Sequence, residues 1–333
     1  MDISFIIPYY NGQTTIVRCL DSIYAIGLNL NSFEILLIDD CSTLPAEEVL
    51  ADYICNHNNL KVIRHKENLC QGGAKNTGIR LSVGRYLVFA DQDDYIISEN
   101  MRAAIHKALN SSPDMLACTF RIIFENGSTV EKGLERTAPF STDGKSFCES
   151  AFDPSQSLAP WSYIYSREYL IKMSHPMEEK VLMEDSDWVA WHLVYANTIS
   201  YLPLPIYYWV MNPHSITHVK SWRNAADRIK FGYRKIRDSR EFRKTSESFA
   251  EVMKDDGKYN IENTFKKLWK VDKYFLFYKH IGEDVLIEIR QMPWSSMTAF
   301  MLNHTKTTSV VLSIIGPILK GAHFFYHKAK MAY

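Results

Sequence analysis

Short apolar runs alternate with amphipathic segments through the first third of the chain. The runs have the length and β-branched content of buried strands, and we predict strands over Ser4–Pro8, Phe33–Asp39, Leu60–Arg64 and Tyr86–Ala90. The segments between them have helical spacing or helix-terminus signals, and we predict helices over Thr14–Ile26, Pro45–Ile54 and Gly72–Leu81. Strands and helices that alternate with short links are typical of βαβ units. The pattern therefore predicts an α/β fold, with helices on both faces of a mostly parallel, Rossmann-like sheet.

The pattern loosens beyond residue 110. We predict one more strand over Met115–Phe124, and then an excursion over residues 126–160 that is rich in Gly, Ser and Thr. Ordered structure is predicted to return over Trp161–Leu170, Val181–Ala196 and Ile199–Val210. From residue 221 the chain is basic, aromatic and mainly helical in pattern. We therefore predict two domains, 1–220 and 221–333, the second a helical C-terminal extension.

Charge separates these two parts more clearly than composition does. The chain is 46% hydrophobic and 13% aromatic, as expected of a globular protein, and its formal net charge is +0. Residues 221–333 nevertheless hold 21 Lys and Arg against 12 Asp and Glu, whereas residues 1–220 hold 17 against 26. This asymmetry favours a cation as partner of the first part and an anionic surface as partner of the second.

Cysteine usage and hydropathy bear on the compartment. The six cysteines form no Cys-x-x-Cys pair and no zinc-spaced cluster with histidine, which favours free thiols in a reducing cytosol. The chain begins with a strand pattern, so we expect no signal peptide. The longest apolar stretch, Val310–Leu319, is interrupted by Pro317 and is shorter than the roughly 18–20 residues of a membrane-spanning helix. We expect a cytoplasmic protein, in which this stretch is a buried helix or a membrane-surface segment.

Polar residues follow each predicted strand of the first part. They form four segments: Pro8–Gly12, Asp39–Ser42, Asn68–Asn76 and Asp91–Asp94. Because ligands of open parallel sheets bind beyond the carboxyl ends of the strands, these segments are expected to line one site. Three carboxylates in the last segment would repel one another unless a cation relieved the repulsion, which implies Mg²⁺ or Mn²⁺.

Each segment taken alone also has a purely structural interpretation. Asp39 to Ser42 could cap the helix that begins near Pro45, because Asp and Ser favour helix N-termini. Asp91 to Asp94 could be a solvated loop, and Gly72–Gly73 an ordinary turn. The placement of all four segments at successive strand ends is what favours a shared site.

In these segments the chain resembles the family 2 glycosyltransferases, which have a GT-A fold. The resemblance rests on four ordered motifs: Ile6–Asn11, Leu37–Ser42, Asn68–Gly78 and Ala90–Asp94. Weaker matches to the acceptor half of the family lie over Trp161–Leu170, Glu184–Trp188 and Tyr207–Ser215, and the resemblance fades after about residue 220. Cys70 stands where the family usually has Gly, and Lys75 where it usually has Arg.

The resemblance implies roles for the donor side. Tyr10 would stack on the base of a nucleotide-sugar, with Pro8 shaping the loop, and Asp40 would bond the base edge. Asp91 would hold the ribose or belong to the metal shell, and Asp93 would coordinate the metal at the diphosphate. Two further donor contacts are implied, from Lys75, which keeps a positive charge without the fork of Arg, and from His214, which could touch the diphosphate.

The resemblance also implies an inverting reaction with a carboxylate base. Asp185 would be the general base, and Glu184 would position the acceptor or the base. The structural alternative for Asp185 is an ordinary acidic residue at a helix N-terminus, ahead of Trp188 and Trp191. Members of this kind often use lipid-carried acceptors and build cell-surface polysaccharide. We therefore expect a UDP-sugar donor, with GDP- or dTDP-sugars less favoured, and a glycan or lipid-linked acceptor.

Two other functions are compared with this interpretation, and the partner of the basic C-terminal region has alternatives of its own. A dinucleotide-dependent oxidoreductase would carry Gly-x-Gly-x-x-Gly after the first strand, where the chain has Pro8–Gly12 instead. A non-catalytic nucleotide-sugar or carbohydrate-binding protein on the same fold would bind without turnover. Basic and aromatic residues after 221 suit contact with the cytoplasmic face of a membrane, nucleic acid or solvent, and the resemblance favours the membrane over nucleic acid.

Overall fold

The computed structural model describes residues 1–133, 138–150, 158–212, 221–268 and 274–305, together with positions 308 and 312. The chain divides into two compact units, Met1–Asn212 and Pro213–Tyr333. The predicted boundary at residue 220 lies in the segment 213–220, outside the described residues. The assignment of separate functional domains to 1–220 and 221–333 stays a prediction.

Ten strands of the described chain belong to one sheet. They are β1 Ile3–Tyr9, β2 Phe33–Asp39, β3 Leu60–Arg64, β4 Tyr86–Phe89, β5 Tyr95–Ile96, β6 Met115–Ile123, β7 Thr129–Lys132, β8 Phe140–Thr142, β9 Tyr163–Ser166 and β10 Ile199–Val210. The predicted bounds of the second and third strands agree with those observed. The excursion predicted for residues 126–160 contains the short strands β7 and β8.

The helices of the first unit lie between these strands. They are α1 Ile16–Tyr24, α2 Ala46–Val49, α3 Ala51–Asn56, α4 Cys70–Leu81, α5 Ser98–Ser111, α6 Gly144–Ser150, α7 Arg167–Met173 and α8 Ser186–Tyr195, with a 3₁₀ turn over Pro160–Ser162. The single helix predicted over Pro45–Ile54 is divided at Leu50 into α2 and α3, because Leu50 leaves the helical conformation at φ −110° and ψ 19°.

The sheet is mixed, which refines the prediction of a mostly parallel one. Its strand order is β3-β2-β1-β4-β9-β6-β10-β5, with β7 beside β6 and β8 beside β10. The first four strands are parallel, as predicted. Strand β9 is antiparallel to both β4 and β6, whereas β6 and β10 are parallel to each other. Strand direction in this second half depends on pairing between distant segments, which the local pattern does not specify.

The core of the first unit lies around β1. This strand is buried along its whole length because β2 and β4 flank it, which explains its nearly continuous apolar sequence. Helix α4 packs closely on β1: a Cβ atom added at Gly78 would lie 2.3 Å from Cγ2 of Ile6. This close packing holds the start of α4 near the carboxyl ends of the parallel strands.

The second unit is helical in its described part, which confirms that prediction. Its helices are α9 Trp222–Phe242, α10 Glu247–Lys266, α11 Tyr274–Ile281, α12 Glu283–Arg290 and α13 Ser296–Asn303. Helices α9 and α10 meet at two glycines, since a Cβ atom at Gly232 would lie 2.6 Å from the carbonyl oxygen of Gly257. Within the described residues, no helix combines the length and the apolar composition needed to cross a membrane.

Asp39, at the end of β2, has a structural role that confirms one of the alternatives above. Its carboxylate accepts hydrogen bonds from the backbone N–H groups of Ser42 and Ala46, at 2.8 and 3.0 Å, and pairs with Arg64 at 2.5 Å. Burial by itself would raise the pKa of Asp39, but the hydrogen bonds from Ser42 and Ala46 and the charge of Arg64 outweigh burial and lower it. Asp39 therefore caps the start of α2.

We expect Asp39→Asn to lower the free energy of unfolding by about 3 kcal/mol at neutral pH, because it leaves Arg64 without its partner. Because the folded-state pKa of Asp39 is depressed, its stabilising effect is complete above about pH 4 and is lost as the pH falls through that lower pKa. Urea denaturation followed by tryptophan fluorescence at several pH values measures both effects. The exposed Asp52→Asn, in α3, is the control. An equal midpoint for Asp39→Asn and wild type at pH 7 would contradict the capping role.

Candidate active site

Three polar segments meet at the carboxyl ends of β2, β1 and β4, which are neighbours in the sheet. The backbone N–H of Asn11 donates to Ser42 Oγ at 3.0 Å, and the N–H of Thr43 donates to Asn11 Oδ1 at 2.9 Å. Gln92 joins the third segment to the first through the backbone of Tyr10. The strand-end residues singled out by the sequence thus lie at one edge of the sheet.

Residues after β1 and β2 and at the start of α4 have unusual backbone conformations. Asn11, Cys41 and Cys70 have φ values of 50°, 64° and 61°, in the left-handed region that non-glycine residues seldom adopt. Such conformations are retained only where surrounding contacts enforce them, and they concentrate at functional sites. At Cys70 the left-handed backbone gives a physical reason for the glycine that the family usually has there.

Gln92 holds the loop that carries Tyr10. Its amide makes two hydrogen bonds to the Tyr10 backbone: Oε1 accepts from the N–H at 2.9 Å, and Nε2 donates to the carbonyl oxygen at 3.0 Å. Gly12 leaves the necessary space, since a Cβ atom there would lie 2.2 Å from Gln92 Oε1. The ring of Tyr10 is 47% exposed and accessible to a flat ligand. Sequence reasoning treated Gln92 only as the spacer between two aspartates.

Pro8 and Asp40 are more enclosed than the sequence suggested. Pro8 is buried inside β1, paired in register with Ile38, and lies beyond the part of β1 that pairs with β4. Asp40 is 3% exposed, and its Oδ1 accepts a hydrogen bond from Leu69 N–H and bonds Nδ1 of His65, each at 2.8 Å. Asp40 thereby ties the end of β2 to the start of α4, a contact that the sequence did not reveal.

The three aspartates after β4 are not equivalent. Asp94 is buried, and its carboxylate accepts a hydrogen bond from the N–H of Val210 at 2.7 Å. Burial, together with the charges of Asp91 and Asp93, raises the pKa of Asp94 well above its usual range. Asp94 thus anchors its loop to β10. The backbone N–H of Asp91 bonds the hydroxyl of Tyr207 at 2.8 Å, a second anchor that the sequence did not indicate.

Asp91 and Asp93 fit the hard cation that the sequence implied. Oδ1 of Asp91 is buried without a hydrogen-bond partner among the described residues. Burial raises the pKa of Asp91 to about 6, even though the charge of Lys75 opposes the increase. Oxygen ligands of this kind suit Mg²⁺ or Mn²⁺, which usually keeps other ligands from water and phosphate. Within the described residues, no three His, Cys, Asp or Glu side chains are grouped to hold a metal by themselves.

Lys75 lies inside the protein, between the donor-side and acceptor-side carboxylates. Its Nζ is 2.9 Å from Oε1 of Glu184 and 3.9 Å from Oδ1 of Asp91, and it is 3.4 Å from Oε1 of Gln71. Burial by itself would lower the pKa of Lys75, but the charges of Glu184, Asp91 and Asp185 outweigh burial and raise it. Lys75 therefore carries its charge while it is buried against Glu184.

Asp185 caps helix α8. Its carboxylate accepts a hydrogen bond from the N–H of Ser186 at 2.8 Å, so the structural interpretation of this residue is confirmed. Burial and the neighbouring charge of Glu184 raise the pKa of Asp185, and the charge of Lys75 opposes the increase. A partly exposed carboxylate with a raised pKa is also a candidate general base, so the capping role is compatible with the predicted catalytic one.

The structure thus brings together Asp91, Glu184 and Asp185 around Lys75, with Asp93 in the same loop as Asp91. It places Tyr10 and Asp40 at the neighbouring strand ends. His214, the remaining donor residue of the prediction, lies outside the described residues.

Comparisons with known proteins identify the family that the chain resembles. Residues 4–169 match the family described as Glycosyl transferase family 2. The uncharacterized glycosyltransferase EpsJ of Bacillus subtilis is 27% identical over 65% of this chain and 63% of that protein. The putative glycosyltransferase EpsH of the same organism is 23% identical over 64% of this chain and 62% of that protein. The aligned part spans less than two thirds of the length of either relative.

A solved structure shares the fold. Residues 1–349 of TarS from Staphylococcus aureus align over 94% of this chain and 89% of that one, with a TM-score of 0.60 and 19% identity. TarS is a poly(ribitol-phosphate) β-N-acetylglucosaminyltransferase that is 30% identical to this chain over 42% of it and 24% of TarS. The fold is GT-A, and the names of the relatives indicate a transferase. The chain carries a glycosyl transferase family 2 domain, and the family match lies over residues 4–169.

Proposed function

We propose that this chain transfers a sugar from a nucleotide-sugar to a hydroxyl group of a glycan or lipid-linked acceptor, with inversion of configuration. The observation that carries the proposal is the meeting of two groups of carboxylates around Lys75. Asp91 belongs to the loop after β4, and Glu184 and Asp185 precede α8. Carboxylates that lie far apart in sequence are thereby held close together, which supports a donor site and a base in the proximity that direct displacement requires.

On the donor side we favour a UDP-sugar, because a solved structure with the same fold is that of TarS in complex with UDP-GlcNAc. The exposed ring of Tyr10 would stack on the base. Asp40, whose Oδ1 is already engaged, would bond the base edge through its other carboxylate oxygen, and Pro8 would support this loop from within β1. His214 is proposed to contact the diphosphate.

Asp91 and Asp93 would hold a Mn²⁺ or Mg²⁺ ion together with the diphosphate, which supplies the ligands that the chain lacks. When bound, such an ion would neutralise the charge that develops on the leaving diphosphate. The buried Oδ1 of Asp91 has no hydrogen-bond partner among the described residues, which supports this assignment. Asp94 is left out of it, because its carboxylate is engaged by β10.

The chain's own residues would perform the transfer as follows. Asp185 accepts the proton of the acceptor hydroxyl while that oxygen bonds the anomeric carbon of the sugar. The bond between that carbon and the phosphate oxygen breaks, and the nucleoside diphosphate leaves on the opposite face. Attack from one face by a single base, without a covalent intermediate, inverts the configuration. Glu184 would orient the acceptor or the base.

The acceptor is proposed to be met at the cytoplasmic face of a membrane. The excess of basic residues after 221 supports contact with an anionic membrane surface, where a lipid-linked acceptor for cell-surface polysaccharide would be met. A non-catalytic binding protein on the same fold is the competing proposal, and turnover of any nucleotide-sugar would exclude it.

We expect Asp93→Ala to weaken the binding of UDP in the presence of Mn²⁺ by about tenfold or more, because the ion loses one of its two carboxylates. Calorimetric titration of UDP, GDP, dTDP and NAD with and without Mn²⁺ measures the effect. It also identifies which nucleotide the donor site prefers. The exposed Asp52→Ala is the control. Equal affinity of wild type and Asp93→Ala for UDP with Mn²⁺ would contradict the metal assignment.

We expect Asp185→Asn to reduce kcat by a factor of about 10² to 10⁴ while UDP affinity is kept, because Asn cannot take up the proton. Asn is as good an N-cap as Asp, so the start of α8 should be preserved. Because the pKa of Asp185 is raised, the wild-type rate should fall as the pH drops through a midpoint above about 3.9, the ordinary value. Radiolabelled sugar transfer across a pH series measures both effects, and the exposed Asp52→Asn, in α3, is the control. Transfer by Asp185→Asn at the wild-type rate would rule out this base.

We expect Gln92→Ala to weaken the binding of both UMP and UDP by about three- to tenfold, because two hydrogen bonds that position the Tyr10 loop are lost. Gln92→Glu should weaken binding similarly, since a carboxylate cannot donate to the Tyr10 carbonyl. Calorimetry with UMP lacks the diphosphate and so isolates the base-binding loop, and Gln13→Ala in an exposed position of this loop is the control. If only metal-dependent UDP binding changed, Gln92 would act through the neighbouring aspartates instead.

A further inference from the structure

Lys75 occupies an environment that lysine rarely enters. Its side chain is 2% exposed, and lysine is almost never fully buried unless it is paired. Its closest partner, Glu184, is 109 positions away in sequence and is itself 4% exposed. The two charges can be buried only if helix α4 and the segment before α8 stay together.

The ammonium group of Lys75 has little capacity left for a donor. An ammonium has three N–H groups, and two of them have hydrogen-bond acceptors here, Oε1 of Glu184 at 2.9 Å and Oε1 of Gln71 at 3.4 Å. Oδ1 of Asp91, at 3.9 Å, makes an ion-pair contact without a hydrogen bond. With almost no exposed surface, Nζ offers no face to a nucleotide-sugar. The structure therefore favours a role different from the donor contact that the family resemblance implied.

The same face of α4 makes other contacts with the segment before α8. The amide of Asn76 makes two hydrogen bonds to the backbone of Met177: Nδ2 donates to the carbonyl oxygen at 2.9 Å, and Oδ1 accepts from the N–H at 2.9 Å. Gly72 permits close approach, since a Cβ atom there would lie 2.3 Å from the carbonyl oxygen of Glu178 and 3.0 Å from Cγ of Glu184. Lys75 and Asn76 follow Gly72 by three and four positions, so all three residues lie on one face of the helix.

The segment that α4 supports has no regular secondary structure between Met173 and Ser186. Three of its residues, Ser174, Lys180 and Met183, have left-handed backbone conformations with φ of 49°, 62° and 88°. Its conformation therefore depends on contacts with other parts of the chain, such as the hydrogen bond from Lys180 N–H to the Leu69 carbonyl oxygen at 2.8 Å and the ion pair that Lys75 makes next to Asp185. Because Glu184 directly precedes Asp185, fixing the first also restricts where the second can point.

We propose that Lys75 is a positioning residue: through the buried ion pair with Glu184 it holds Asp185 in place for proton removal, and through Asp91 it links that base to the donor loop. This inference rests on the proposed transferase function. It gives Lys75 no direct contact with donor or acceptor.

The test compares Lys75→Met, Lys75→Arg, Glu184→Gln and the double variant Lys75→Met/Glu184→Gln with wild type in the full chain. Two quantities are measured for each: the dissociation constant for UDP with Mn²⁺, and kcat for sugar transfer. A suitable control is Lys61→Met, because Lys61 also pairs with a buried glutamate, Glu34, at 2.8 Å, but at the far end of β2 and β3.

We expect Lys75→Met to keep the UDP dissociation constant within about threefold and to lower kcat about 100-fold, the loss that a small displacement of a reacting group can cause. Lys75→Arg should recover at least about a tenth of the wild-type kcat, because it keeps the charge. The double variant should be no slower than Lys75→Met, because two residues that act as a unit have non-additive effects. Lys61→Met should keep the wild-type kcat.

Several outcomes would overturn the proposal. One is a Lys75→Met protein that binds UDP about tenfold more weakly with unchanged kcat, which would make Lys75 a donor ligand. Another is Glu184→Gln or the double variant at wild-type kcat, which would make the pair merely structural. These two variants remain informative even if Lys75→Met does not fold, since neither leaves Glu184 as a buried carboxylate without its cation. Failure of the proposed function has a different signature: wild type itself would turn over no nucleotide-sugar.

Discussion

The ion pair of Lys75 and Glu184 is the interaction on which the site depends. A buried charge is costly unless an opposite charge meets it, and removing one partner of such a pair typically costs about 3–5 kcal/mol. Neither residue is satisfied within its own half of the unit, so each requires the other half to be in place. The segment before α8 can pack on α4 only when this pair forms. The same pair lies next to Asp91 and Asp185, so it also affects the positions of these two carboxylates.

Side chains that bond to backbone replace secondary structure around this site. The amide of Gln92 holds the backbone of Tyr10 with two hydrogen bonds, and the amide of Asn76 holds that of Met177 in the same way. Both arrangements need a nearby glycine, Gly12 in one case and Gly72 in the other, because a Cβ atom would collide with a neighbour. These side-chain hydrogen bonds fix the conformation of irregular loops next to the parallel strands.

The carboxylates of the site differ in how their charge is stabilised. Those of Asp39 and Asp94 accept hydrogen bonds from backbone N–H groups and maintain the loops. The pKa values of Asp91, Asp94 and Asp185 are raised because burial and neighbouring carboxylates disfavour their charges, and the cation of Lys75 only partly compensates at Asp91 and Asp185. A site with this surplus of negative charge suits a divalent cation and a base, which is the chemistry that the proposed transfer requires.

Local periodicity in the sequence predicted the strands β1 to β4, including the bounds of β2 and β3, and the helical segments between them, because each of these elements has its own apolar pattern. It did not predict the break at Leu50, strand β5 or helix α5. The motifs identified the family and the strand ends at which the polar residues would gather. The resemblance separated Asp40 from Asp39 and Asp93 from Asp94, but local patterns did not show that Asp39 pairs with Arg64 or that Asp94 accepts a hydrogen bond from Val210. Those contacts, the antiparallel placement of β9 and the burial of Lys75 were decided by tertiary structure, because each depends on a partner far away in the chain that local patterns do not encode.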